Sequence, residues 1–291
     1  MYTFSQTLQT ALAAHNPQRV LLDFGNGVTF TNEDIVMSAG VQLDSSFNSE
    51  TDLTIGLCPS SEIKFAMLND VNQLDEFEFG QFVAYLGARI DTGTPAQDAV
   101  TMTYTEHGVS ALYEFAPLGT FVAKRPNVIR STIVDVAAND LMTLFDVEMP
   151  TKTELNLTYP TTLATLLGKL CTYLGVTLKP NMSFLNSSMS VSKEPKQFNG
   201  ATMREVLGWI AEAACSIARF NREGQLELVW FNTTAKVYDE HDYKEFTKYW
   251  YETEAINKLH IRNADSSAES KYGSGSNAYM IQDNPFLKVS S

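Results

Sequence analysis

Short runs of alternating apolar and polar residues dominate the first half of the chain. Between residues 35 and 134 these runs recur about every 8–12 positions, a spacing typical of a β-barrel or β-sandwich. Ahead of them, the Gly-Asn-Gly of residues 25–27 separates two apolar runs and predicts a tight hairpin, because Gly and Asn tolerate positive φ. The other predicted strands are residues 41–44, 53–57, 63–67, 77–79, 82–86, 100–104, 111–115 and 128–134.

Helical periodicity replaces this alternation in the middle of the chain. The first predicted helix has Thr161 or Thr162 as its N-cap and Gly175 just past its end. The second begins with Thr202 and Glu205, a capping box in which hydroxyl and carboxylate bind orphan backbone amides reciprocally. Each helix leads into predicted strands, which are residues 176–178, 216–220 and 226–231. The apolar faces are Leu163, Leu166, Leu167, Leu170 and Leu174 in the first helix, and Val206, Leu207, Ile210 and Ala214 in the second.

Two shorter helices are predicted over residues 5–15 and 136–145, the former ending at an Asn-Pro pair. After residue 234 the alternation returns. A Ser- and Gly-rich stretch, residues 266–277, predicts a mobile loop between the last strands. The predicted strands of this region are residues 236–238, 246–251, 256–261 and 279–281.

These patterns predict a β-rich α+β fold with three parts. Residues 1–134 form an N-terminal β-rich module, a barrel or a sandwich by strand spacing, and residues 135–235 form an inserted α/β module with the two Thr-capped helices. Residues 236–291 form a C-terminal β segment. The fold class that the patterns predict is therefore α+β and β-rich, with an inserted α/β module.

Charge, cysteine content and hydrophobicity limit the classes of partner and location that we expect. The 291 residues carry a formal net charge of −13, which disfavours binding to nucleic acid or to an anionic membrane. Cys58, Cys171 and Cys215 show no pairing pattern, so we expect reduced thiols and folding in the cytoplasm. Neither a signal segment nor an apolar run of about 18 residues is present, so no membrane span is expected.

The sequence contains only weak matches to the motifs of enzymes and metal sites. The four histidines share no metal-ligand spacing, and the acidic turn around His241 is more typical of solvated surface than of a cation site. Ser61 and Lys64 match Ser-x-x-Lys, but the pair opens a predicted strand, where residues three apart face opposite sides. We therefore predict no catalytic residue, no cofactor and no metal.

One group of aromatic residues lies among charges in a strand-like run: Phe246, Tyr249, Trp250 and Tyr251. Core packing accounts for most such runs, and a face between subunits is the alternative. These four residues are the candidate subunit interface.

Four stretches, in order, resemble the phage tail hub family, which includes tail-associated lysins and baseplate hubs of contractile tails. The first is residues 49–65, and the second consists of Gly119–Lys124 and Ala137–Asp146. The third is the two capped helices with the Gly-Gln-Leu-Glu-Leu that follows the second helix, and the fourth is the Asn-Pro-Phe-Leu of residues 284–287.

The resemblance implies a virion structural protein that forms a homotrimer. Each subunit of this family carries two tube-like barrels, so the resemblance implies tube-like antiparallel β-barrel modules here, with residues 1–134 as the N-terminal barrel module and residues 236–291 contributing to a second barrel. Three subunits would then mimic a six-fold ring that adapts the tail tube to a three-fold tip. Tail tube or distal tail proteins and downstream tip or fibre proteins would be its partners during host cell entry. DNA would pass through the bore without specific binding, helped by the acidic charge.

Two alternatives remain open at this point. Family members often continue past Asn-Pro-Phe-Leu into a lysin or fibre-bearing domain, whereas this sequence stops at Ser291. The first alternative is the cell-wall hydrolase portion of a tail lysin. The second is a carbohydrate-binding adsorption module, which predicts an aromatic-lined groove.

Overall fold

The computed structural model describes residues 5–25, 27–36, 38, 40–45, 54–69, 79–91, 93–97, 99–123, 132–229, 257–263 and 269–287. The first described element is helix α1 (Gln6–Ala13), which lies within the predicted residues 5–15 and is capped by the Ser5 hydroxyl. An eight-stranded antiparallel sheet follows, in the order β2-β1-β5-β7-β8-β4-β3 with β6 beside β7. Its strands are β1 (Gln18–Asp23), β2 (Thr29–Thr31), β3 (Gln42–Asp44), β4 (Glu62–Leu68), β5 (Gln81–Ile90), β6 (Val100–Glu106), β7 (Val109–Ala123) and β8 (Ile133–Asp140).

This sheet is strongly curled. Three strands lie between β1 and β4, yet Leu22 and Phe65 belong to the same buried cluster, together with Phe82 of β5 and Phe121 of β7. Phe24, on the β1–β2 turn, stacks on Phe82 with ring centroids 4.7 Å apart. The inner face of the sheet is therefore a filled apolar core.

The closed barrel that the sequence predicts is not found. Within the described ranges no strand ladder joins β2 to β3, so the sheet stays open. One chain segment approaches both ends: Thr29–Thr31 pairs with β1, and Ile35 makes an isolated bridge to Met67 of β4. Hydrogen bonds from Val36 N to Ala66 O and from Leu68 N to Asp34 O, both 2.8 Å, hold that bridge.

The α/β unit combines small sheets with two helices. Its elements are β9 (Thr161–Thr162), α2 (Leu163–Leu174), β10 (Thr177–Leu178), β11 (Ser190–Val191), α3 (Met203–Ala213), β12 (Ile217–Phe220) and β13 (Gln225–Val229). Both predicted caps are confirmed: Thr162 accepts from Thr165 N, and Thr202 and Glu205 form the capping box. Gly175 ends α2 in the left-handed conformation. The apolar faces of both helices are buried in one core.

A three-stranded sheet, β15-β14-β16, ends the described chain. It consists of β14 (Lys258–Arg262), β15 (Glu269–Gly273) and β16 (Ala278–Gln282), with β14 antiparallel to β15 and parallel to β16. No helix within the described residues is both long and apolar enough to cross a membrane.

Three local expectations are wrong. Residues 136–140 continue strand β8, and only Leu141–Phe145 is helical, as a 3-10 turn. Residues 54–57 form a turn in place of a strand, and strand β15 lies inside the stretch expected to be a loop. In each case, hydrogen bonds to a distant segment override the local pattern.

Candidate functional site: the junction of sheet, helices and C-terminal segment

The predicted interface residues Phe246, Tyr249, Trp250 and Tyr251 lie outside the described residues, as does the acidic turn at His241. Ser61 and Lys64 are described and make no catalytic pair. The Ser61 amide donates to Asp140, and the Lys64 ammonium forms an ion pair with Glu62 at 2.7 Å. The residues that the structure does bring together form a structural junction instead.

Asp140 connects the curled sheet to the start of the α/β unit. Its carboxylate is buried and accepts from Ser60 Oγ at 2.8 Å, Ser61 N at 2.9 Å and Met142 N at 3.1 Å. Burial raises the pKa of Asp140, and these hydrogen bonds offset part of that effect. The side chain therefore links the end of β8 to the segment before β4 and caps the following 3-10 turn.

The turn at residues 54–58 lies directly on α3. Gly56 N donates to Ser216 O at 2.8 Å, and Ala218 N donates to Leu57 O at 2.9 Å. Gly56 has φ +79°, and a Cβ there would lie 2.8 Å from Glu212 Cβ. On the helix side, a Cβ on Gly208 would lie 3.0 Å from Gly56 O. Two glycines thus allow backbone to approach backbone.

The C-terminal segment is tied to the same helix. Asn284 Nδ2 donates to Trp209 O at 2.9 Å and to Glu212 Oε2 at 2.7 Å, while Asn284 Oδ1 accepts from Phe286 N at 2.9 Å. Phe286 is buried in the core of the α/β unit, edge-on to Phe198. Residues 284–287, the Asn-Pro-Phe-Leu segment, therefore pack against α3, and we call this segment the latch.

Further contacts complete the junction. Arg204 of α3 pairs with Asp146, with Nε 2.6 Å from Oδ1 and Nη2 2.8 Å from Oδ2. Gly224, in the β12–β13 turn, lies so close to Thr120 of β7 that a Cβ would be 2.3 Å from its hydroxyl oxygen. The sheet and the α/β unit are thereby fixed to each other at several independent points.

Burial raises the pKa values of the Cys58 and Cys171 thiols. Burial raises the pKa of the Cys58 thiol to about 12, although Arg204 acts against it, so the thiol is protonated at neutral pH. Burial likewise raises the pKa of Cys171 to about 12. Among the described residues, no group of three or more His, Cys, Asp and Glu side chains could hold a metal ion. What this arrangement provides is a set of contacts that hold the sheet, the helices and the C-terminal segment together.

A shallow groove of about 510 Å³ lies at the start of α2. Its lining contains Leu157, Pro160 and Lys169 and no aromatic side chain. The first helical amides are already bonded, Leu163 N to Met189 O and Ala164 N to Ser187 O. The groove therefore presents neither an aromatic platform for a sugar nor free amides for an anion.

Sequence reasoning missed most of these roles. The four stretches that carry the resemblance are the ones that meet at the junction, but their sequence signals are a lone Asp, two glycines and an Asn-Pro pair. None of these signals identifies its distant partner.

No protein-family model matches the chain, and no curated protein matches it. Among solved structures, the chain is similar to the 43 kDa tail protein of prophage MuSo2 from Shewanella oneidensis. The two share 11% identity with a TM-score of 0.49, covering 91% of this chain and 72% of that one. It is also similar to a tail protein from Neisseria meningitidis MC58, at 12% identity and a TM-score of 0.45, covering 91% and 70% of the respective chains. At such values the likeness carries no argument about function, which rests on the residues themselves.

Proposed function

We propose that this chain is a structural hub protein of a phage or phage-derived tail tip. It would form a homotrimeric ring that adapts and closes the end of the tail tube and carries the downstream tip proteins. The observation that carries the proposal is the junction: the four stretches that resemble the tail hub family contact one another there. Their roles are structural, since Gly56, Asp140 and Asn284 fix elements against each other.

The geometry suits a building block of an assembly. Partly buried hydrogen bonds and backbone contacts hold the curled sheet, the α/β unit and the C-terminal segment against one another. The net charge of −13 adds a second property, because a bore lined with carboxylates repels DNA and lets it pass without specific binding. In this proposal the protein folds in the host cytoplasm and ends in the virion, at the tail tip.

The first experiment is the mass in solution, measured by light scattering after size exclusion and followed by electron microscopy of the particles. We expect three times the 32.3 kDa of one chain, and rings with a central opening. Gold-labelled antibody on tails of the particle that encodes the chain should mark the tip.

The competing functions predict other outcomes. A cleared band on a peptidoglycan zymogram would establish a hydrolase, and selective binding of the isolated chain to a glycan array would establish an adsorption module. Label distributed along the tail, or absent from it, would contradict the hub.

A further inference from the structure

Glu114 of β7 is buried, and no partner for its carboxyl group is found in the described ranges. The residue is 2% exposed, and its Oε2 atom has no hydrogen-bond partner. None of the ion pairs among the described residues includes it. A carboxyl group taken out of water without a hydrogen bond or a cation costs free energy. An apolar residue would remove this cost, so the presence of Glu114 points to a role in binding.

Helix α1 covers one side of this group. Ala88 lies directly opposite Glu114 on β5, and Ala116 lies two residues further along β7, so all three share one face of the sheet. Both alanines are buried in one cluster with the apolar side of α1. On the other side of Glu114, its β6 neighbour Thr101 is exposed. The cover that α1 provides therefore ends at Glu114.

This cover is thin. α1 has eight residues, fewer than the roughly 12–15 below which an isolated helix is marginal in water, so it depends on packing. Its two buried side chains rest on alanines, which contribute little apolar area. Hydrogen bonds hold its ends, from Thr7 Oγ1 to Thr94 O and from Asn16 Nδ2 to Arg89 O, both 2.8 Å. A short helix over a costly carboxyl group is suited to open locally.

A free strand edge lies next to this helix. β6 pairs with β7 on one side, and no described strand pairs with its other side. Natural sheet edges are commonly protected by Lys, Pro or a bulge, and β6 has none of these. Val100, at its start, is 38% exposed. An extended segment can therefore add to β6 through backbone hydrogen bonds.

We propose that α1 is a lid over Glu114, and that a partner protein binds here through an extended segment that carries Lys or Arg. The segment pairs with the free edge of β6, and its cation reaches across Thr101 to Glu114 when the lid opens. Neighbouring strands lie about 4.8 Å apart, so the backbone beyond β6 is about 10 Å from that of Glu114. The two long side chains together span this distance, and the cation supplies the counter-charge that the fold lacks.

The partner is another protein and not a second copy of this chain. The chain holds 34 Asp and Glu residues against 21 Lys and Arg residues, so a second copy is a poor source of a basic extended segment. The inference goes beyond the proposed hub role and does not depend on it, because the lid, the edge and Glu114 belong to one chain.

The first test measures how often the lid opens, by hydrogen exchange of the α1 amides in the whole chain. E114M keeps the length of the side chain and removes its polar atoms, and the control E223Q removes a carboxylate from an exposed turn. We expect exchange of α1 to slow about tenfold or more in E114M, because the closed state no longer buries an unpartnered carboxyl group. E223Q should exchange at the wild-type rate. Exchange of α1 that is no slower in E114M than in wild type would overturn the lid.

A cation placed within the chain should also close the lid. T101K puts a lysine directly opposite Glu114, where it can pair with the carboxylate, whereas T105K puts one opposite Ser110. We expect T101K to slow exchange of α1 and T105K to leave it unchanged. Equal effects of the two variants would show that Glu114 does not lack a counter-charge.

The second test concerns the chemistry of the partner. The probe is a short capped peptide in which Lys and Val alternate, and its control has Glu in place of Lys. In wild type we expect the Lys peptide to speed exchange of α1 and to slow exchange of β6, and the Glu peptide to do neither. The concentration of Lys peptide for half the effect should rise about tenfold or more in E114M and in T101K.

Three outcomes of the second test would overturn the proposal. A Lys peptide that leaves β6 unchanged in wild type rejects the edge as a docking site. One that acts equally on wild type and E114M binds through the general acidity of the chain, which rejects Glu114 as its receptor. Slower exchange of β6 at rising protein concentration, without peptide, assigns the edge to a second copy. The hub role is tested separately, by the mass in solution and the gold label, so these failures leave it intact.

Discussion

At the scale of single residues, Gly56 and Gly200 share a backbone conformation and differ in their surroundings. Their φ angles are +79° and +82°, but a Cβ on Gly200 meets nothing within 4 Å, while one on Gly56 meets Glu212 at 2.8 Å. We expect G200A to cost about 1 kcal/mol of unfolding free energy through backbone strain alone. G56A should cost about 1–3 kcal/mol more, because α3 must move away. Urea denaturation measures both, and equal losses would show that the close approach is not stabilising.

Asn284 makes three hydrogen bonds, two to α3 and one within the latch. We expect N284A to lower the free energy of unfolding by about 1–3 kcal/mol, since Trp209 O and Phe286 N lose their partner in a buried site. Gln282, exposed on β16, provides the control Q282A, which should leave stability nearly unchanged. Thermal unfolding decides, and an unchanged melting temperature for N284A would mean that the latch is not needed for stability.

At the scale of elements, Glu227 joins the three strands of the small sheet. Its carboxylate, on β13, is 2.6 Å from Lys179 Nζ just after β10 and 2.9 Å from Arg219 Nη2 on β12. Burial by itself would raise the pKa of Glu227, but Lys179 and Arg219 outweigh burial and hold the pKa below its usual value. The sheet therefore depends on an ionised carboxylate.

The expected pH dependence has a definite sign. Because the pKa of Glu227 is lower in the folded than in the unfolded state, its ionised carboxylate stabilises the fold fully above the ordinary glutamate pKa of about 4.3. This stabilisation is lost as the pH falls through the lowered pKa. At neutral pH we expect E227Q to be less stable than wild type by about 1–3 kcal/mol. The difference should shrink below about pH 4.

The matched control is E223Q, in the exposed turn before β13. Its stability should follow that of wild type at all pH values. A gap between E227Q and wild type that stays constant on acidification would show that the ion pairs do not set the charge of Glu227.

At the scale of the whole molecule, the junction joins two separate apolar cores. One core fills the curled sheet, and the other lies between α2, α3 and the small strands. Because several backbone and side-chain contacts cross between them, we expect both to unfold together. Hydrogen exchange in increasing urea should show peptides from β4 and α3 losing protection at the same midpoint. Separate midpoints in the wild type would show that the junction does not couple them.

Features closed by hydrogen bonds between near neighbours were predictable from the sequence. Thr162 and Thr202 cap their helices through bonds that span three residues, and Gly175 ends α2 by its own conformation. The antiparallel pairing of β1 with β2 is local in the same sense. Such features need no knowledge of the rest of the fold, so the β-rich α+β class and both helices follow from the pattern.

Features that depend on distant partners were decided by the tertiary structure. Residues 136–140 are a strand because β4 pairs with them, and residues 269–273 are a strand, despite Ser and Gly, because β14 does. The sequence alone determined which segments could be helices and strands and that the chain is acidic. Only the folded chain brought Gly56, Asp140 and Asn284 into one junction. The physical reason is that these contacts join residues up to 224 positions apart, a separation at which no local periodicity carries information.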